Sequence, residues 1–214
     1  MTARIAHEIR NPLTAIKMQL QLLKETANQQ HMPVLDSLLD ETRRLELIVL
    51  STLQHKRTAK PVFTQANINS LIGEIVDMLR LQFEHQDLLL ALSLDPGLPE
   101  VAIDRDMMTQ IILNLLLNAK DEMPDGGEIR LSTGIEKGDS GIWFAVDDSG
   151  PGIPEEDWDT LFTDATSVKP GGFGLGLRLC RELAELHNGS IRIGHSGLGG
   201  ARFTVSLPSA GFRP

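Results

Sequence analysis

At Lys60-Pro61 the pattern of apolar residues changes, and this break constrains the fold of the chain more than any other feature. Proline lacks an amide donor and disfavours the helical region for the residue before it, so a helix cannot run through this step. Before the break, apolar residues recur at steps of three and four. Ile5, Ile9, Leu13, Ile16, Leu20 and Leu23 fall in one stripe roughly 80° wide at about 100° per residue. Leu35, Leu38, Leu39, Thr42, Leu45, Val49 and Leu53 form a second stripe. The spacing predicts helices over residues 2–27 and 34–57, joined by a short connection over 28–33, which is an antiparallel hairpin. One hairpin cannot bury both stripes well, whereas two copies can as a four-helix bundle. A homodimer through residues 1–57 is therefore expected.

After a connection over 58–65 the pattern is mixed. Asn67 and Asp104 are good N-caps for two helices, the first carrying Ile68, Leu71, Ile72, Ile75, Val76 and Leu79, the second running to about Glu122. Strand-like runs cover 88–94, 128–135, 142–147, 190–194 and 201–207, with a further amphipathic helix over 175–187. Runs of antiparallel strands mixed with helices predict an α/β sandwich, helices on one sheet, over residues 66–208. Residues 209–214 read as a tail.

The net charge of −9 argues against nucleic acid as a partner. A polyanionic ligand would have to be met by local charge or backbone donors. The single Cys180 allows no internal disulfide and fits a reducing, cytoplasmic setting. No apolar run approaches a membrane span, so no direct membrane contact is expected.

On the first helix His7 lies about 170° from the centre of the apolar stripe, with Asn11 about 40° from it and Glu8 beside it in the chain. Pro12 frees the carbonyl of Glu8 and should bend the helix there. A histidine, a carboxylate and a carboxamide thus share an exposed shoulder. By themselves they fit a solvated surface as readily as a site.

Three features of the second region belong together. Asp148-Ser149-Gly150-Pro151-Gly152-Ile153 follows a strand, where glycines permit close backbone approach and the carboxylate can accept from an amino group. A plain turn would look similar. Gly171-Gly172-Phe173-Gly174-Leu175-Gly176-Leu177 opens a helix, whose free amides bind phosphate without net positive charge. A flexible hinge would have the same composition. Asn114 and Asn118 sit one turn apart on one helix face, and a carboxamide oxygen suits Mg²⁺.

Together these stretches give the chain a resemblance to the catalytic core of bacterial two-component sensor histidine kinases. Ala6-His7-Glu8-Ile9-Arg10-Asn11-Pro12-Leu13 resembles the phosphoacceptor box, Asn114-Leu115-Leu116-Leu117-Asn118 the N box, and the Asp148 stretch the G1 box. Leu161-Phe162 resembles part of the F box, the Gly172 stretch the G2 box, and Gly199-Gly200-Ala201-Arg202-Phe203 the closing glycine element. The resemblance spans nearly the whole chain. The F box departs from the pattern, with Thr163-Asp164-Ala165 where a second aromatic is common.

The resemblance implies a dimerisation and phosphotransfer hairpin followed by a Bergerat-type ATP-binding domain. His7 would attack the γ-phosphate of ATP, with Glu8 holding the proton on the other ring nitrogen. Asn118, helped by Asn114, would hold Mg²⁺. Asp148 would read the adenine amino group, Gly150, Gly152 and Ile153 would approach the base, and Phe162 would belong to the lid. Gly172, Gly174, Leu175, Gly176 and Leu177 would line the phosphates, with Lys169 reaching them from the lid. A response regulator would take the phosphoryl group on an aspartate, docking beside His7, Thr14, Met18, Gln21 and Glu25. Asn11 resembles the residue that orients water in members that also dephosphorylate the regulator. The family's first helix normally starts earlier and joins a sensor, so the chain is expected to be a fragment lacking its input domain, or a short member. Gyrase-type ATPases share the nucleotide fold but place a glutamate where Asn114 stands, and asparagine is no general base. A non-catalytic scaffold that signals through its dimer, or a serine kinase on the same nucleotide fold, would leave His7 without a catalytic role.

Overall fold

In the computed structural model the described residues are a scattered set between 16 and 42, then 61–138, 141–162 and 175–209. The chain divides into two compact units, Met1–Lys60 and Pro61–Pro214.

In the first unit Ile16, Gln19, Leu20, Leu23 and Lys24 are helical, Asn28 is not, and Met32, Val34, Leu35, Leu38 and Thr42 are helical again. The His31 amide donates to the Asn28 carbonyl at 2.9 Å, closing the turn between them. Three residues of the predicted stripes, Ile16, Leu23 and Leu38, remain 46, 56 and 47 % exposed in the single chain. His7, Glu8, Asn11, Thr14, Met18, Gln21 and Glu25 lie outside the described residues.

The second unit starts with a strand inside the stretch read as a connection. Strand β1 (Thr64–Ala66) pairs antiparallel with β3 (Val101–Ile103). Neither three-residue strand has a sequence signature, since each is defined only by its partner. The preceding segment is tied down as well. The Val62 amide donates to Asp104 Oδ2 at 2.9 Å, and Phe63 meets the buried ring of His187 edge-on at 5.2 Å. His187 Nδ1 donates to the Leu183 carbonyl at 2.7 Å and Nε2 accepts from the Asp104 amide at 3.0 Å. Both ring nitrogens are thereby used by a neutral imidazole, which makes this histidine structural.

Helix α1 (Ile68–Glu84) is capped by Asn67, whose side chain accepts from the Asn69 amide at 2.8 Å. Helix α2 (Arg105–Asp121) is capped by Asp104, which accepts from the Met107 amide at 3.1 Å. Helix α3 spans Leu175–Leu186. The remaining strands, β2 (Leu88–Ser93), β4 (Gly127–Ile135), β5 (Gly141–Asp148), β6 (Ser190–His195) and β7 (Ala201–Pro208), form one sheet in the order β2-β4-β5-β7-β6. Three of its four pairings are antiparallel as expected. The β2–β4 pair is parallel, because β3 and α2 intervene and carry the chain back to the end from which β2 started.

Strand β7 alternates strictly, with Ala201, Phe203, Val205 and Leu207 buried. These join Ile129, Leu131, Phe144 and Val146 in one core with the apolar faces of the three helices. The register puts Asp148 opposite Ile129, on this helix-covered face, and Asp147 opposite Arg130 and Arg202, on the other face. Among the described residues no helix is long and apolar enough to cross a membrane.

Candidate nucleotide-binding site

The site is built where β5 ends. Asp148 is buried, and its Oδ1 accepts from two backbone amides, Gly150 and Ala201, each at 3.0 Å. Its carbonyl accepts from the Gly200 amide at 3.1 Å. Among the described residues Oδ2 has no hydrogen-bond partner. One oxygen is thus committed to holding the carboxylate still, and the other is free to accept from a ligand. Burial pushes the Asp148 carboxyl above the usual aspartate range, opposed by the Ala201 and Gly150 amides and reinforced by the charges of Glu122 and Asp147.

Two glycines are required by this arrangement. A Cβ on Gly200 would collide with Asp148 Oδ1 and also with the backbone at the Asp148 carbonyl and the Gly150 amide, which no rotamer relieves. Gly152 has φ +73°, in the left-handed region that side chains avoid. The loop beyond it is pinned from outside. Trp158 Nε1 donates to the Ile153 carbonyl at 3.0 Å, and the Trp158 ring lies 5.3 Å from that of His195, which bonds Glu155 at 2.9 Å. On the other side Ser149 donates to Met123 Sδ at 3.3 Å and accepts from the Glu128 amide at 2.9 Å.

Helix α2 links this end to the start of α3. Asn114 Nδ2 donates to the Gly176 carbonyl at 3.4 Å, while its Oδ1 accepts from Gln110 at 2.9 Å. Two turns on, Glu122 and Met123 lie against Gly150. Asn118 falls midway between these contacts, half-buried, its side chain without a hydrogen-bond partner among the described residues. An unengaged carboxamide oxygen there fits a hard cation. Asn114 has both ends of its carboxamide engaged, so the second lone pair of Oδ1 is all it could offer. Among the described residues no group of three or more His, Cys, Asp and Glu side chains could hold a metal.

The structure therefore brings Asp148, Gly150, Gly152 and Ile153 together at one end, and Asn114, Gly176 and the first turn of α3 at the other. Leu177 follows in that first turn, half-buried against the core. Leu175 is the first residue of α3. Phe162 packs on the core and, with Arg178, Arg181, Glu182 and Glu185, lines a groove of about 380 Å³. Lys169, Gly172 and Gly174 lie outside the described residues. Cys180 is fully buried, its thiol pushed up to about 12 by that burial, which excludes it as a nucleophile at neutral pH. Sequence reasoning missed the Ala201 amide and the Trp158 anchor. The amide acts across a long chain separation, and the anchor depends on how the loop folds back.

Residues 1–58 match the family described as His Kinase A (phospho-acceptor) domain, and residues 103–211 the family described as Histidine kinase-, DNA gyrase B-, and HSP90-like ATPase. The chain belongs to the histidine kinases. Among other members, it is 34 % identical over 214 residues to sporulation kinase A of Bacillus subtilis, covering 97 % of this chain and 34 % of that protein. It is 32 % identical over 221 residues to the sensory histidine kinase/phosphatase NtrB of Rhodobacter capsulatus, covering 98 % and 62 %. The solved structure of histidine kinase ThkA in complex with response regulator protein TrrA superposes with a TM-score of 0.67 at 28 % identity, covering 98 % of this chain and 61 % of that one. The chain spans about a third of the length of the first of these kinases. In this kinase core the Bergerat-type sandwich is the ATP-binding part.

Proposed function

We propose that the chain phosphorylates itself on His7 at the expense of ATP and passes the phosphoryl group to an aspartate of a response regulator. The observation that carries this reading is the division of labour at Asp148, one oxygen fixed by two amides and the other open to a ligand amino group. It makes a site for adenine in a chain whose first 58 residues match a phospho-acceptor domain. Asp148 Oδ2 accepts from the adenine amino group, and Gly150, Gly152 and Ile153 bring backbone against the base. The first turn of α3, with Gly172 and Gly174 before it, turns its unpaired amides to the phosphates, and Lys169 adds a charge from the lid. Asn118 holds Mg²⁺ with Asn114 assisting; the ion, when bound, offsets charge on the phosphates.

His7 attacks the γ-phosphorus through one ring nitrogen. The new N–P bond replaces the bond to the β,γ-bridging oxygen, ADP leaves, and Glu8 keeps the proton on the other nitrogen. Two copies dimerise through the hairpin, whose exposed Ile16, Leu23 and Leu38 need a cover. The regulator docks on the shoulder that carries His7, Thr14, Met18, Gln21 and Glu25. Asn11 orients water for dephosphorylating the regulator, an activity that one relative's name also carries. All of this takes place on the cytoplasmic side, where ATP is supplied.

Incubation with γ-labelled ATP and Mg²⁺ tests the reading. It expects label on protein that is lost in acid, survives alkali, is absent from His7→Gln and moves to a receiver domain. Phosphate release without labelled protein would overturn it in favour of a simple ATPase.

A further inference from the structure

Asp147 and Asp148 are consecutive, and they lie on opposite faces of β5. The strand beside them repeats this arrangement. Ala201 donates its amide to Asp148 on the helix-covered face, and Arg202, the next residue, pairs with Asp147 on the other at 2.8 Å. Asp147 is buried, its Oδ2 taken by Arg202 and its Oδ1 unpartnered. The Arg202 guanidinium is also held from above, 5.5 Å from the centre of the Trp143 ring. That ring lies so close over Gly134 that any side chain there would strike it.

We propose that Arg202 is a positioning residue for nucleotide recognition: by pairing with buried Asp147 it prevents an uncompensated charge there from drawing the strand, and with it the Ala201 amide, away from Asp148, and it offsets part of the charge next to that carboxylate. The inference rests on Asp148 reading adenine. Breaking a buried pair leaves an uncompensated charge, which costs far more than removing both partners. The groups facing Asp148 make the sign definite. Glu122 from the end of α2 and Asp147 from β5 oppose its ionisation, while the Gly150 and Ala201 amides favour it. Arg130, opposite Asp147 in the ladder, is already paired with Glu128 at 2.8 Å. Without Arg202, Asp148 would hold its proton to higher pH and lose the acceptor that adenine needs.

The test is ADP and GDP binding to the full chain by calorimetry, from about pH 5 to 8. Arg202→Met is expected to weaken ADP about tenfold at neutral pH and to move the acid limb of binding up by about one pH unit. Adding Asp147→Asn to Arg202→Met is expected to restore both, which a packing role for the Arg202 side chain would not produce. An unchanged acid limb in Arg202→Met, or a double variant no better than the single, overturns the proposal. If Arg202→Met does not fold, the double variant decides: ADP affinity within about threefold of the parent supports the proposal, and its loss overturns it. Asp148→Asn separates this from the reading beneath it. If that variant keeps its preference for ADP over GDP, the adenine assignment fails. If it loses the preference while Arg202→Met binds as the parent does, only the role of Arg202 fails.

Discussion

The two ends of the nucleotide site are built on opposite plans. At the Asp148 end the protein satisfies almost every polar group itself. Two amides hold Oδ1, Gly200 holds the carbonyl, Trp158 holds Ile153 and Ser149 is held from two sides. At the α2–α3 end, Asn114 apart, groups are left open. Asn118 has no side-chain partner among the described residues, and Gly176 is exposed at the start of its helix. A base is recognised by fixed acceptors, which must be rigid before it arrives. Phosphates and their ion can complete their own shell from unpaired amides and a free carboxamide. The contrast predicts that damage at the first end costs affinity and fold together, or trades one for the other, whereas damage at the second costs affinity alone.

Asp148→Asn should have the largest effect. It removes the charged acceptor at Oδ2, a hydrogen bond of about 3 kcal/mol, hence roughly a hundredfold in ATP affinity. The fold should respond in the opposite direction. A carboxyl whose folded pKa lies above its unfolded value binds more protons when folded, so the charge lowers stability as pH rises from the unfolded value through the folded one. At neutral pH the neutral asparagine is therefore expected to melt at or above the parent temperature, while ATP affinity in the parent falls as pH drops through the raised pKa. Thermal melting and titrations on the same samples read both.

Gly200→Ala breaks the same end from the backbone side. Its methyl would collide with Asp148 Oδ1, so the variant should lose about 1–3 kcal/mol of stability, on the scale of overpacking, as well as ATP affinity. A melting curve identical to the parent's would show that the Asp148 end is softer than its hydrogen bonds imply. Asn118→Ala probes the open end and should have the smallest effect. It is expected to weaken ATP by about tenfold in Mg²⁺, the worth of one ligand or strong hydrogen bond, with no change in EDTA and none in melting temperature. Equal losses with and without Mg²⁺ would reassign Asn118 from the ion to the nucleotide.

Much of this was legible in the chain itself, and the reason is locality. Asn67 and Asp104 cap their helices through amides two and three residues away, and such contacts belong to the local sequence. The alternation of β7 and the spacing of Asn114 and Asn118 likewise survive in any fold that forms those elements.

What the sequence could not show depends on residues far apart. The strands β1 and β3 exist only as each other's partners, and β2 pairs parallel with β4 because α2 brings the chain back. One of the two amides that fix Asp148 comes from 53 residues away, and the one that fixes His187 from 83. Residue order determined that a carboxylate would end this strand beside glycines, since strand and turn preferences are local. Only the tertiary structure decided which of its oxygens is spent on the protein and which is left for a ligand, because hydrogen bonds between distant strands are settled by packing the whole sheet.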